Sequence, residues 1–127
     1  YGSDMSLNEN PYDINLGKLV NLEKKADCLS RTALTSIKQK GNTRELVGVE
    51  IIGEKFSNYV ADHLPVYIDE EIVGKTTSCV FSPQLNKTIG LALLNTKRNL
   101  KPKNITININ DKVAEVKICK LPFLRNK

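Results

Sequence analysis

The spacing of apolar residues changes once along this chain, at Gly41, and that change limits the possible folds more than any other property of the sequence. Before Gly41 apolar residues recur about every fourth position, and after it apolar and polar residues largely alternate. Alternation is typical of β-strands that bury one face. The predicted strand segments are residues 44–52, 65–68, 72–81, 88–94, 105–109 and 114–118. The chain is therefore predicted to be mainly β.

Two pairs of these segments are close enough in sequence to form antiparallel hairpins. The acidic residues 69–71 separate one pair, and Asn110 with Asp111 separates the other. Both groups contain residue types that favour tight turns. Residues 88–94 form an unbroken apolar run instead, which predicts a strand covered on both faces.

The segment before Gly41 predicts one helix, over residues 30–40. Leu29, Ala33 and Ile37 recur every fourth position, Ser30 can cap the start, and Gly41 can end the helix. Residues 14–22 fit a short strand or extended segment, and residues 1–12 are an irregular lead-in.

One early helix packed on about six short strands gives an antiparallel α+β domain of mainly β content. Closure of the strands into a small barrel would remove the exposed edges that otherwise invite aggregation, so we predict a barrel. An open two-layer sandwich is the alternative.

Charge and hydropathy exclude two classes of partner. The net charge is only +5, from 19 Lys and Arg against 14 Asp and Glu, and the basic residues are scattered, which does not favour a nucleic-acid surface. No apolar run approaches the roughly 20 residues that cross a bilayer, and residues 1–4 have neither the basic start nor the apolar stretch of a signal peptide. We expect a cytoplasmic protein, and the start at Tyr1 suggests a piece of a longer polypeptide.

The residues that carry chemistry indicate no particular reaction. His63 is the only histidine, and without a suitable partner nearby it is expected to lie on the surface. The carboxylates at residues 69–71 are explained by a turn, so no metal site is predicted. Cys28, Cys79 and Cys119 are far apart and odd in number, and are expected to be reduced, buried and unpaired. These observations alone are compatible with a barrel that works as a non-catalytic binding or interaction module.

Several stretches together resemble one known family, the glycine cleavage T-proteins or aminomethyltransferases. The matching stretches are residues 1–5 (YGSDM), 29–34 (LSRTAL), 44–49 (RELVGV), 72–83 (IVGKTTSCVFSP), 89–92 (IGLA) and 116–123, which end in LPF. The most specific of them is similar to the family signature GxVTSGxFSP…IGLA. The matches occur in the family's order over nearly the whole chain.

The resemblance implies a C-terminal barrel domain. Residues 1–28 would be a connector from a missing N-terminal folate-binding region, and residues 29–127 the barrel with its leading helix. The parent enzyme would transfer a one-carbon unit to tetrahydrofolate, taken from a small-molecule substrate or a lipoyl carrier protein. The barrel would support and close the folate site. Alone it is expected to be inactive and to bind tetrahydrofolate weakly, and an exposed docking patch could make it self-associate.

The resemblance also points to two residues of this chain that would touch the cofactor, and to no catalytic residue. Tyr1 would lie against the folate pocket. Arg125 could pair with the anionic glutamate tail through a charge-assisted hydrogen bond worth about 1.5–3 kcal/mol. The alternative for Arg125 is a frayed basic tail, because residues 125–127 end the chain.

One departure from the family signature concerns Cys79, which stands where the family usually has glycine. A side chain there would strain a turn with positive φ, so a different local turn is expected. The replacement is similar to the dimethylsulfoniopropionate demethylase branch, which moves a methyl group to tetrahydrofolate. Sarcosine and dimethylglycine dehydrogenases carry a similar tail behind a flavin domain.

Overall fold

The structure is a computed structural model, and it describes residues 1–24, 28–60, 62–95, 104–109 and 112–124. Within those residues the chain forms a short 3-10 helix (Gly17–Leu19), one α-helix and six strands. These are α1 (Arg31–Lys40), β1 (Arg44–Ile51), β2 (Pro65–Ile68), β3 (Glu71–Ser82), β4 (Lys87–Asn95), β5 (Ile105–Ile109) and β6 (Lys112–Cys119). No helix among the described residues is long and apolar enough to cross a membrane.

The six strands close into an antiparallel barrel in the order β1-β4-β3-β2-β5-β6, and β6 pairs back onto β1. The barrel prediction is thereby confirmed over the open sandwich. The β2–β3 hairpin turns at Asp69 and Glu70, both with positive φ (48° and 69°), as a two-residue primed turn requires. The predicted turn at Asn110 and Asp111 lies outside the described residues.

The inward faces of all six strands form one apolar core. Its buried members are Val49, Ile51, Val66, Val73, Cys79, Ala92, Leu94, Ile105, Ile107, Ala114 and Val116. Strand β4 also buries an outward residue, Leu93, as its unbroken apolar run predicted. Because Leu93 faces outward and is only 4% exposed, other residues of this chain cover that part of the outer surface of β4.

Two predictions for the segment before Gly41 need correction. Residues 14–22 contain the 3-10 helix Gly17–Leu19 and no strand, because Leu16 and Gly17 accept the backbone hydrogen bonds of a tight helical turn. The α-helix is confirmed, but α1 contains no fully buried residue: Leu34 and Ile37 are only partly buried, so the helix packs less closely than expected. Apolar spacing predicts which face of a helix is apolar, and it does not say what that face contacts.

Candidate functional site

The connector crosses the outside of the barrel and forms hydrogen bonds with the first part of β1, which β6 does not reach. Strand β6 pairs with β1 only from Gly48 onward. Over the earlier part of β1 the connector takes its place: Asp13 O accepts a hydrogen bond from Leu46 N at 2.8 Å, and Asn15 Nδ2 donates to Leu46 O at 2.5 Å. The connector is thus attached to the barrel by backbone groups as well as side chains.

A charge cluster with two buried carboxylates and a partly exposed arginine, here called the Arg44 cluster, strengthens this attachment. The Arg44 guanidinium lies 3.0 Å from Asp13 Oδ2 and 3.3 Å from Glu9 Oε1, and it donates to Asn8 O at 2.7 Å. Asp13 is only 1% exposed. A hydrogen bond from Ser6 and the charge of Arg44 lower the pKa of Glu9, and burial opposes them. Glu9 is therefore ionised at neutral pH, and one arginine holds two carboxylates of the connector.

A second attachment, here called the Asp4 anchor, lies on β3. Asp4 Oδ1 accepts hydrogen bonds from Thr77 Oγ1 at 2.6 Å and from Ser78 Oγ at 2.8 Å. Ser3 Oγ donates to Thr77 O at 3.0 Å and lies 2.9 Å from the Tyr59 hydroxyl oxygen. The register of β3 against β4 shifts at this point, so two consecutive hydroxyl residues can both reach one carboxylate.

The structure places one of the two predicted cofactor contacts. Tyr1 lies three residues before Asp4 and is 81% exposed, so its ring is available to a ligand or to another protein region. Arg125 lies outside the described residues. Beside the anchor, a cleft of about 30 Å³ is lined by Gly2, Met5 and Lys75 among others, which is space for about one water.

The other candidate groups behave as surface features. His63 is exposed, as predicted, and its Nδ1 lies 3.1 Å from Thr76 O. Among the described residues no group of three His, Cys, Asp or Glu side chains could hold a metal ion. A cleft of about 570 Å³ lies between Asn15, the first half of β1 and residues 118–121, and neither Tyr1 nor Asp4 lines it.

The expectation of an altered local turn at Cys79 is wrong, because the residue lies in a strand and not in a turn. Cys79 lies inside β3, is absent from the residues with positive φ, and pairs with Gly90 of β4. A Cβ on Gly90 would lie 2.6 Å from Cys79 Sγ, so glycine on the facing strand makes room for the thiol. Packing explains the replacement, and the demethylase branch stays a prediction.

The three cysteines are free, as expected, but they differ in burial. Cys79 is buried, Cys119 is intermediate, and Cys28 is exposed, which corrects the expectation that all three are buried. Burial raises the pKa of Cys79 to about 11, and it also raises the pKa of Cys119. The Cys79 thiol is therefore protonated and shielded at neutral pH.

These environments predict a wide spread of thiol reactivity. With an aromatic disulfide reagent at pH 7.5, Cys28 should react first and Cys79 at least about 100-fold more slowly, because only the thiolate attacks. Peptide mapping by mass spectrometry identifies each labelled residue. A Cys28→Ser variant should lose the fast phase, and labelling of native Cys79 as fast as Cys28 would contradict the burial described here.

Sequence reasoning missed both attachments of the connector. The Arg44 cluster joins residues more than 30 positions apart, and no period in the sequence reports such a contact. The Asp4 anchor did leave a signal: residues 76–78 are three consecutive hydroxyl side chains in the middle of β3. Such a run interrupts alternation and is compatible with a bulge that presents polar groups outward.

Apolar side chains remain uncovered along the connector and before α1. Leu7, Leu19 and Leu29 have exposed fractions of 90%, 71% and 106%. A single exposed leucine is unremarkable, but three of them precede the barrel within one segment that is already attached to it. This segment offers an apolar surface to another protein region.

Comparison with known proteins identifies relatives of this chain. Residues 44–124 match the model of the family described as glycine cleavage T-protein C-terminal barrel domain. Aminomethyltransferases of Bacillus cytotoxicus and Bacillus cereus are each 34% identical over 125 residues, which cover 98% of this chain and 33% of those proteins. The chain thus spans about a third of the length of the curated relatives it matches.

The fold has a solved counterpart. The crystal structure of glycine cleavage system aminomethyltransferase T from Bartonella henselae superposes with a TM-score of 0.82 and 20% sequence identity. The match covers 97% of this chain and 34% of that chain. The similarity of fold therefore extends beyond the barrel to most of the chain before it.

Proposed function

The chain belongs to the glycine cleavage T-protein family, and from that premise we propose that it is the C-terminal domain of a tetrahydrofolate-dependent aminomethyltransferase. The observation that carries the proposal is the 34% identity over 98% of the chain to enzymes three times as long. In the proposed protein, residues 29–127 form the barrel with its leading helix, and residues 1–28 connect it to an N-terminal folate-binding region.

The role proposed for this domain is to support and close the folate site rather than to supply its reactive groups. Two observations favour that role. The cleft beside the Asp4 anchor is about 30 Å³, whereas pockets that enclose a small-molecule ligand measure about 300–1,000 Å³. The exposed Leu7 and Leu19 of the connector, and Leu29 just after it, are apolar side chains against which an N-terminal region can pack.

The proposed reaction is the transfer of a one-carbon unit to tetrahydrofolate. A lipoyl carrier protein would present the unit as a bound aminomethyl group, and a demethylase-type enzyme would take a methyl group from a small molecule instead. Catalysis of such a transfer needs groups placed to within about half an ångström, so the barrel alone is expected to be inactive. A non-catalytic interaction module is the alternative, and the folate measurements below separate the two.

Tyr1 and Arg125 are the proposed folate contacts of this chain. In the full-length protein, Arg125→Ala should weaken tetrahydrofolate binding about tenfold or more, because a charge-assisted hydrogen bond to a carboxylate contributes about 1.5–3 kcal/mol. Tyr1→Ala should weaken it about threefold to tenfold through loss of ring stacking. Isothermal titration calorimetry measures both dissociation constants.

The matched control for the tail is Lys127→Ala, which removes a cation two positions farther along. It should change the dissociation constant less than about twofold. An Arg125→Ala protein that also stays within twofold of the parent would remove Arg125 from the site. The residue would then be part of a frayed basic tail.

A further inference from the structure

The Asp4 anchor attaches the connector to the barrel and also supplies a hydrogen-bond acceptor to a buried hydroxyl group of β3. Thr77 is 2% exposed, so its hydroxyl needs a partner inside the protein. Asp4 Oδ1 lies 2.6 Å from that hydroxyl, and a second acceptor among the described residues, Leu91 O, is farther away at 3.4 Å. Ser78 donates to the same carboxylate oxygen. Asp4 is therefore the main partner of a buried hydroxyl.

The anchor also fixes the backbone next to it. The Ser3 hydroxyl bridges the Thr77 carbonyl and the Tyr59 hydroxyl. Ser3 and Asp4, two consecutive residues of the connector, are thus both held on β3. Asp4 is three residues from Tyr1, and a chain of that length spans at most about 11 Å. The position of the Tyr1 ring is thus limited by a contact made on the barrel.

We propose that Asp4 is a positioning residue that acts through Tyr1. By accepting hydrogen bonds from Thr77 and Ser78, it holds the start of the connector on the β3 bulge and places the Tyr1 ring for contact with the folate ring system. This proposal rests on the proposed function, since it takes Tyr1 to be a folate contact. In this proposal, Thr77 and Ser78 of β3 fix the position of the Tyr1 ring relative to the barrel.

The first experiment tests the anchor without any ligand. In the full-length protein, Asp4→Ala should raise hydrogen–deuterium exchange of residues 1–9 at least about tenfold, because the segment loses both hydrogen bonds that Asp4 accepts from β3. Ser78→Ala removes one donor, leaves Asp4 in place and should have a smaller effect in the same direction. Glu115→Ala, an exposed carboxylate on β6, is the control and should leave exchange of residues 1–9 unchanged.

The second experiment tests positioning by a double-mutant cycle on tetrahydrofolate affinity. Asp4→Ala should weaken binding about fivefold, and it should add less than about twofold when Tyr1 is already alanine, because it acts through that ring. A general loss of structure would weaken both backgrounds equally. The KM for tetrahydrofolate should rise while kcat changes less than about twofold.

Each outcome is decisive. Unchanged exchange in Asp4→Ala would show that the carboxylate does not hold the connector. Faster exchange with unchanged folate affinity, or equal losses in the two Tyr1 backgrounds, would overturn the positioning role and leave the proposed function intact. If the parent protein binds no tetrahydrofolate, the proposed function fails, and the positioning role fails with it.

Discussion

Replacement of Gly74 by alanine is expected to destabilise the barrel by about 3 kcal/mol, the upper end of what overpacking of a core costs. Gly74 lies on β3 opposite Leu94. A Cβ there would lie 2.8 Å from Leu94 Cδ2 and 2.9 Å from Leu94 Cα, and closer still to the Leu93 carbonyl oxygen. Two of these atoms are backbone, so relief requires the two strands to move apart. Urea unfolding of the chain, followed by circular dichroism, measures the loss.

Gly53→Ala is the matched control, because it adds the same methyl group at a glycine with nothing within 4 Å. Gly53 has a φ of 80°, so the alanine costs only the strain of a left-handed backbone, about 1–2 kcal/mol. The free energy of unfolding should thus fall clearly more for Gly74→Ala. Equal losses in the two variants would mean that β3 and β4 are not as closely paired as described.

The strands were predictable because their residues obey a period that burial on one face imposes. Ile105 and Ile107 point into the core and the residues between them do not, so alternation locates β5 almost to the residue. The acidic pair Asp69 and Glu70 likewise marks the β2–β3 turn. Closure into a barrel was predictable too, since short antiparallel strands leave edges that must be covered.

The course of the connector was not predictable in this way. Its attachments are single side-chain contacts such as Asp4 with Ser78 and Arg44 with Asp13, which depend on distance in space and leave no period in sequence. The same limit applies to α1. The spacing of apolar residues predicted the helix but not what its apolar face contacts, and the face formed by Leu34 and Ile37 is only partly buried. A helix that packs on a separate region has the same pattern as one that packs on its own barrel.

The candidate site was predicted through resemblance rather than through chemistry. Tyr1 has no distinguishing neighbour in sequence, and only the family match suggests a role for it. The structure adds what resemblance lacked, namely the Asp4 anchor two residues beyond Gly2 and its hydroxyl partners on β3. The corrected view of Cys79 came from Gly90, which is distant in sequence and adjacent in the sheet.

The largest expected effect on function is the loss of tetrahydrofolate binding when the barrel is separated from its proposed N-terminal region. The exposed Tyr1 ring can contribute stacking of about 0.5–1.5 kcal/mol, which alone corresponds to no useful affinity. The glutamate tail would add one charge-assisted pair at Arg125. Neither contact encloses the cofactor, so enclosure has to come from the rest of the enzyme.

The decisive measurement is calorimetric titration of tetrahydrofolate into the 127-residue chain and, in parallel, into the full-length protein. The account predicts no complex tighter than about 1 mM for the chain alone, or about −4 kcal/mol, and a micromolar complex for the full-length protein. Light scattering in the same buffer checks that the chain is folded and not aggregated. A micromolar or tighter complex with the chain alone, about −8 kcal/mol, would contradict the claim that this domain only supports and closes the folate site.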